Sequence, residues 1–188
     1  MVRRKTEVMP RREIEIFPDA AHLAIAAADF FAGLAESAIA DHGRFAVALS
    51  GGSTPRLLYE TLASKDFSTL FDWARLHIFF GDERCVPPTH QESNFRMVND
   101  SLISHVPIPS TNVHRIKGEI EPLTSAENYE KELRSYFVDL EWPRFDLVLL
   151  GLGTDGHTAS LFPGSSALSE IDRWVVANFV DNLKSFRL

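Results

Sequence analysis

A histidine and an aspartate stand two residues apart in a glycine-rich segment, residues 151–163, which reads GLGTDGHTASLFP and is called the histidine loop below. An imidazole is the usual base for activating water near neutral pH, and a neighbouring carboxylate can orient its ring. We therefore take His157 as the candidate base, Asp155 as its orienting group, and Gly153 as a position where a substrate can approach the backbone. Histidines are more often structural, but a glycine-rich loop after a strand is not typical of a structural histidine.

A second candidate group is the charged turn, residues 81–84, which reads GDER. Its carboxylates and guanidinium could supply a base, an orienting acid and an anion clamp. We take Arg84 as the candidate clamp and Asp82 as the group that positions Arg84 or a substrate hydroxyl. Taken alone, such a sequence is more often a solvated turn in which the aspartate caps a local element.

The third group is the glycine loop, residues 50–55, which reads SGGSTP. Adjacent glycines let backbone N–H groups approach an oxyanion, hydroxyls add donors, and a helix N-terminus adds partial positive charge. The loop therefore resembles a phosphate cradle, although the spacing of a Walker A loop is absent. A plain turn with Thr54 as helix N-cap is an equally good interpretation of this loop alone. The candidate substrate-binding residues here are Ser50, Gly51, Gly52, Ser53 and Thr54.

Each of these segments follows an apolar run that is typical of a strand buried on both faces: FAVAL (45–49), LHIFF (76–80) and FDLVLL (145–150). Further strands are predicted over residues 13–17, 112–116 and 174–180, and helices over residues 20–42, 55–63, 93–102 and 122–137. This alternation predicts a three-layer α/β/α fold with a mostly parallel, Rossmann-like sheet. Ligands bind beyond the carboxyl ends of such strands, so we expect the three loops to converge on one crevice.

Length and charge limit the classes of function. The 188 residues fit a single α/β domain, predicted over residues 13–188, preceded by a basic tail over residues 1–12. The net charge is −7 and the tail is basic, so the body is more acidic still, which disfavours nucleic-acid and membrane-surface partners. The apolar stretch from residue 20 to residue 40 carries charges and predicts a helix with a buried face, not a membrane span.

Cysteine and histidine usage makes two further predictions. The single cysteine, Cys85, fits a reducing cytoplasm and is expected to be a small buried residue, since no histidine stands near it in the sequence. The spacing of histidine, cysteine and acidic residues indicates no metal site. The sequence makes no prediction of oligomeric state.

The three motifs together resemble the 6-phosphogluconolactonases. The resemblance is carried by SGGSTP (50–55), by FGDER (80–84) with Ser93 and Asn94, and by GLGTDGHTASLFPG (151–164), in matching order and spacing. It implies hydrolysis of 6-phospho-D-glucono-1,5-lactone to 6-phospho-D-gluconate in the oxidative pentose phosphate pathway. The substrate would be a small sugar phosphate, with neither cofactor nor metal required.

The resemblance also implies roles for these residues. His157 would take a proton from the attacking water, with Asp155 orienting its ring, and Arg84 would stabilise the oxyanion or hold the substrate. The glycine loop, with Arg56 close by, would hold phosphate or sugar oxygens, and Asn94 would join the substrate site. Which end of the substrate each loop holds stays open.

Two alternatives remain beside this hypothesis. Glucosamine-6-phosphate deaminases share similar loops but place Asn-Glu-Pro where this chain has Leu161, Phe162 and Pro163, so the acid that they need is missing. A non-catalytic sugar-phosphate sensor on the same fold could dispense with Asp155 and His157. Lactonases of this family also continue beyond the last residue of this chain, so the resemblance implies a C-terminally truncated member that lacks a phosphate-binding lysine.

Overall fold

The computed structural model describes residues 13–188. Its main sheet contains β1 (Phe45–Leu49), β2 (Leu76–Phe80), β3 (Val113–His114) and β4 (Leu147–Val148). These strands are all parallel and lie in the order β3-β2-β1-β4. A separate antiparallel hairpin pairs β5 (Asn178–Val180) with β6 (Ser185–Arg187).

Helices connect the strands on both faces of the sheet. They are α1 (Ala20–His42), α2 (Ser53–Ala63), α3 (Lys65–Ser68), α4 (Asn94–Ser101) and α5 (Pro122–Tyr136). Short 3₁₀ turns lie at Trp73–Arg75, Ile103–His105, Ser110–Asn112, Ser166–Ser169 and Asp181–Leu183. The predicted α/β/α class with a mostly parallel sheet is confirmed.

The core lies on both sides of β1, every residue of which is buried. On one face, Phe45 packs edge-on against Phe31 of α1, with ring centroids 5.1 Å apart. On the other face, Phe79 of β2 packs against Phe137 and Phe145 beside α5. Burial on two faces explains why these strands are continuous apolar runs instead of alternating ones.

Helix α1 begins and ends where its sequence predicts. The Asp19 side chain accepts a hydrogen bond from the His22 backbone, and Gly43 closes the helix with a φ of 85°, a conformation that favours glycine. Among the helices of residues 13–188, α1 is the one long and apolar enough to cross a membrane by length and composition. Its face of small residues and Phe31 is nevertheless buried against the core, as predicted.

Three strand predictions need correction. Residues 13–17 form no strand, and Ile14 and Ile16 are exposed. The run 145–150 pairs as a strand over two residues only, because β1 borders it on one side and no strand of the described chain borders it on the other. The run 174–180 contributes its last three residues to the β5–β6 hairpin and none to the main sheet.

The predicted basic tail, residues 1–12, lies outside the described residues. That residues 13–188 form one domain stays a prediction.

Candidate active site

Two buried tyrosines fix the points where β1 and β2 end. The Tyr59 hydroxyl donates to the Ser50 carbonyl at 2.8 Å and accepts from the Ser50 N–H at 3.1 Å. The Tyr129 hydroxyl makes the same pair of contacts with Phe80, at 3.2 and 3.0 Å. Burial raises the pKa of both phenols, so they remain neutral donors. The glycine loop and the charged turn therefore start from backbone held by side chains of α2 and α5.

The three loops converge as predicted. A cavity of about 310 Å³ lies between them and is lined by Asp82, Arg84 and Asn94 together with residues of the other two loops. The contributing residues of the glycine and histidine loops are Ser50, Gly51, Gly52, Ser53, Thr54, Pro55, Gly151, Leu152, Gly153, His157 and Ala159. Most of the candidate residues therefore face one cavity at the carboxyl ends of the strands.

His157 and Asp155 form a hydrogen-bonded pair, with 2.5 Å between Nδ1 of the imidazole and Oδ1 of the carboxylate. The imidazole, with help from the His157 backbone N–H, lowers the pKa of Asp155, so the carboxylate stays ionised. An ionised acceptor at Nδ1 favours the tautomer with its proton there, which leaves the lone pair of Nε2 free to act as a base.

Gly153 allows the histidine ring to lie where it does. A Cβ atom at this position would stand 2.3 Å from both Nδ1 and Cε1 of His157 and 2.9 Å from Oδ1 of Asp155. The Gly153 N–H also donates to the His157 carbonyl at 2.8 Å, which closes the loop on itself. The role of this glycine in the described structure is to make room for the base.

The ring of Phe162 stacks on His157, with centroids 4.3 Å apart. The neighbour of the candidate base is therefore an aromatic ring, at the position where the deaminase pattern places an acid.

In the charged turn, Asp82 is buried and does not pair with Arg84. Its carboxylate accepts from Asn94 Nδ2 at 3.0 Å and from the hydroxyl of Ser160 at 2.6 Å. Arg84 instead donates from Nη1 to the Glu92 carbonyl at 2.5 Å. Of the two roles predicted for Asp82, a direct contact with Arg84 is not seen, because its carboxylate bonds to Asn94 and Ser160 instead, and contact with a substrate hydroxyl stays a prediction.

Glu83 is a structural residue that the sequence did not single out. Its carboxylate accepts the backbone N–H groups of Arg84, Asn94 and Phe95 and the hydroxyl of Ser93, all between 2.7 and 3.0 Å. Burial raises its pKa, while these four donors oppose the increase. Glu83 thereby ties the charged turn to the N-terminus of α4.

Asn94 contacts both neighbouring loops. A Cβ atom on Gly51 would stand 1.9 Å from Oδ1 of Asn94, so this glycine is required for the amide to reach Asp82. Asn94 lines the cavity, yet its amide nitrogen is engaged by the side chain and the carbonyl of Asp82. Its visible role is to hold Asp82.

Arg56 is not brought to the cavity. It lies on the exposed side of α2, where its Nε atom pairs with Glu60 one turn further on at 3.1 Å. Helical geometry accounts for this, since residues four apart share a helix face and this face points to solvent.

Arg187 is a cation that the sequence reasoning missed. It forms a backbone bridge with Arg84, and its guanidinium donates to the Ser185 hydroxyl and the Phe186 carbonyl. Burial and the nearby Arg84 lower its pKa. No acidic side chain of residues 13–188 forms a salt bridge with it, which leaves two arginines side by side at the edge of an acidic molecule.

Comparisons with known proteins assign the chain to a family. The profile described as "Glucosamine-6-phosphate isomerases/6-phosphogluconolactonase" matches residues 18–186. The chain is 39% identical over 174 residues to a 6-phosphogluconolactonase of Nostoc sp., covering 91% of this chain and 71% of the relative. It is 43% identical over 131 residues to one of Haemophilus influenzae, covering 70% of this chain and 55% of the relative.

A solved structure titled 6-phosphogluconolactonase from Trypanosoma cruzi superposes with a TM-score of 0.82 at 34% identity, covering 94% of this chain and 73% of that one. The chain thus spans between about half and three quarters of the length of these relatives. Sequence and structure together show that the chain belongs to the glucosamine-6-phosphate isomerase/6-phosphogluconolactonase family.

Proposed function

We propose that this protein hydrolyses 6-phospho-D-glucono-1,5-lactone to 6-phospho-D-gluconate. The observation that carries the proposal is the His157–Asp155 pair at a cavity shared with Arg84 and the glycine loop. The relatives at 39% and 43% identity, which carry the name of this activity, support it.

The proposed reaction begins when Nε2 of His157 takes a proton from a water molecule that attacks the lactone carbonyl carbon. The carbonyl oxygen becomes an oxyanion, which Arg84 stabilises, and Asp155 balances the charge of the imidazolium. The bond between the carbonyl carbon and the ring oxygen then breaks, and the imidazolium returns its proton to that oxygen. No oxidant or further reactant is needed, and the open-chain acid is released.

The glycine loop is the proposed site for phosphate or sugar oxygens. Gly51 and Gly52 face the cavity together with Ser53 and Thr54, at the N-terminal end of α2. Backbone N–H groups and hydroxyls at a helix N-terminus are suited to an anion. Arg84 adds positive charge at the same cavity, with Arg187 beside it, which an anionic substrate requires on an acidic protein.

Phe162 disfavours the deaminase alternative. Its ring occupies the space beside His157 and carries no group that could accept or deliver a proton.

The single cysteine supports a cytoplasmic location, which we include in the proposal. The proposal also includes a single domain over residues 13–188.

The test is a coupled assay with freshly generated 6-phosphogluconolactone, from which spontaneous hydrolysis is subtracted. We expect lactone turnover and no release of ammonia from glucosamine 6-phosphate. Ammonia release would favour the deaminase. Binding of 6-phosphogluconate without any turnover would contradict the enzyme proposal and favour the sensor.

A further inference from the structure

The histidine loop is attached to the protein interior at one point. Of residues 151–163, all of which the structure describes, Ser160 is the one buried residue, at 8% exposure. The remaining residues of the loop are exposed or half-buried, including His157. The position of the candidate base therefore depends on a loop that has little other contact with the core.

The hydroxyl and the backbone carbonyl of Ser160 each form a hydrogen bond to a buried residue of another segment. Its hydroxyl donates to Oδ2 of Asp82 at 2.6 Å, and its carbonyl accepts from Nδ2 of Asn178 on β5 at 2.9 Å. Asp82 and Asn178 are 7% and 3% exposed, and Asp82 is held further by the Asn94 amide. Buried hydrogen bonds of this kind define one orientation for the segment that makes them.

A tight turn connects the anchored Ser160 to His157. Ala159 has a φ of 49°, and the Leu161 N–H donates to the Thr158 carbonyl at 2.9 Å. The Thr158 hydroxyl donates to the Gly151 carbonyl at 2.8 Å, and His157 stands directly before this turn. An alanine persists in the left-handed region only where its surroundings hold it there.

We propose that Ser160 is a positioning residue, which, through its hydrogen bonds to Asp82 and Asn178, holds the turn that directs His157 into the cavity. This inference rests on the function proposed above and adds to it a residue that does not touch the reacting atoms. It also gives Asp82 a role as the buried acceptor that fixes the histidine loop.

The variant Ser160→Ala tests the proposal, with Ser165→Ala as its matched control. The Ser165 hydroxyl, two residues beyond the histidine loop, is buried without a hydrogen-bond partner among the described residues, so its removal deletes a buried hydroxyl but no hydrogen bond. A catalytic group displaced by about 1 Å can lose about 10²-fold in rate. We therefore expect kcat of Ser160→Ala to fall about 10- to 100-fold, with KM little changed. Ser160→Thr retains the hydroxyl and should recover most of the rate.

A second readout does not depend on activity. Hydrogen exchange of the Gly153 and Leu161 amides, which bond to the carbonyls of His157 and Thr158, reports whether the loop is held. We expect faster exchange in Ser160→Ala, and wild-type rates in Ser165→Ala.

Unchanged exchange in Ser160→Ala would overturn the anchor, whether or not the wild type hydrolyses the lactone. Faster exchange with an undiminished kcat, in a wild type that is active, would overturn the positioning role. A wild type inactive on the lactone would contradict the proposed function, while the exchange comparison would still decide whether Ser160 anchors the loop.

Discussion

His157 is the residue on which the proposed chemistry depends most directly. Replacing it with alanine removes the base but leaves the glycine loop and Arg84 in place, so kcat should fall roughly 10²- to 10⁴-fold with little change in KM. His105→Ala is a suitable control, because His105 is exposed and its side chain bonds only to the Asp100 carbonyl among the contacts described. Steady-state kinetics with the lactone measures both variants, and a His157→Ala enzyme of normal turnover would exclude the role of base.

Arg84 contributes geometry as well as charge. Arg84→Lys keeps the charge but loses the planar fork that donates to the Glu92 carbonyl, so we expect about 10²- to 10³-fold lower kcat/KM. Arg96→Lys is the matched control, since Arg96 donates to the Thr89 carbonyl in the same way and its Nε atom pairs with Asp100. Equal activity of Arg84→Lys and wild type would contradict the clamp role.

We expect Glu83 to stabilise the folded protein through the charged turn. Glu83→Gln replaces one acceptor oxygen with an NH₂ group, which cannot accept a hydrogen bond. At least one of the backbone N–H groups of Arg84, Asn94 and Phe95 then loses its partner. An unsatisfied buried donor costs about 1–3 kcal/mol, which denaturant unfolding would measure as a lower free energy. Glu119→Gln, in a partly exposed pair with Arg115, should change the free energy of unfolding much less. Equal free energies of unfolding for the two variants would contradict the role of Glu83 in joining the charged turn to α4.

At the scale of elements, the turn at Ala159 carries backbone strain. An alanine in the left-handed region costs roughly 1–2 kcal/mol, and glycine relieves this cost while adding about 0.5–1 kcal/mol of unfolded-state entropy. Ala159→Gly should therefore leave stability unchanged or increase it by up to about 1.5 kcal/mol.

The same substitution at Ala167, whose φ is negative, provides the control for Ala159→Gly and should be destabilising. Thermal unfolding of the two variants measures the difference. A larger loss of stability at Ala159 than at Ala167 would mean that the turn is not strained.

The hydrophobic pattern correctly predicted the strands that are buried on two faces. It wrongly predicted a strand where no neighbouring strand of the described chain is present to pair with it. The runs 45–49 and 76–80 are strands over their full predicted lengths, because each lies between other strands of the sheet. Residues 13–17 have the alternation of an edge strand, but strand formation requires a neighbour, and pattern carries no information about neighbours.

The same distinction applies to the candidate site. Loop sequences after strands placed His157 and Arg84 at one cavity, because chain topology brings the ends of parallel strands together. Ser160 could not be found in this way, since its importance comes from Asp82 and Asn178, which are distant in sequence. One signal was available: Asn178 is a single amide within the apolar run WVVANFV.

At the scale of the whole molecule, a histidine pair on the sheet makes stability depend on pH. His77 of β2 lies 3.2 Å from His114, which in turn bonds to Glu132, and it packs against Tyr136, over whose ring Arg44 lies. Burial, His114 and Arg44 lower the pKa of His77 to about 4. His77 is therefore neutral in the folded protein well below pH 6.5.

The direction of the change in stability depends on which state, folded or unfolded, binds the proton. Between pH 6.5 and about 4 the unfolded chain binds a proton at His77 that the folded protein does not, so stability falls as pH decreases through this range. Thermal unfolding of wild type and His77→Gln at pH 7, 5 and 4 tests this prediction. The variant should lose less stability than wild type on acidification, and parallel losses would contradict the lowered pKa.

The contact between the charged turn and β6 also has a consequence for how the protein is made. Glu83 and Leu188 exchange two backbone hydrogen bonds, of 2.8 and 2.9 Å, although they come from opposite halves of the chain. On the ribosome, all three loops emerge before the strand that pairs with Arg84 and Glu83, and closing so long a stretch of chain is slow. Every proposed catalytic residue is therefore synthesised before the strand that supports the charged turn, and we expect this turn to reach its final geometry only once residues 185–188 have docked against it.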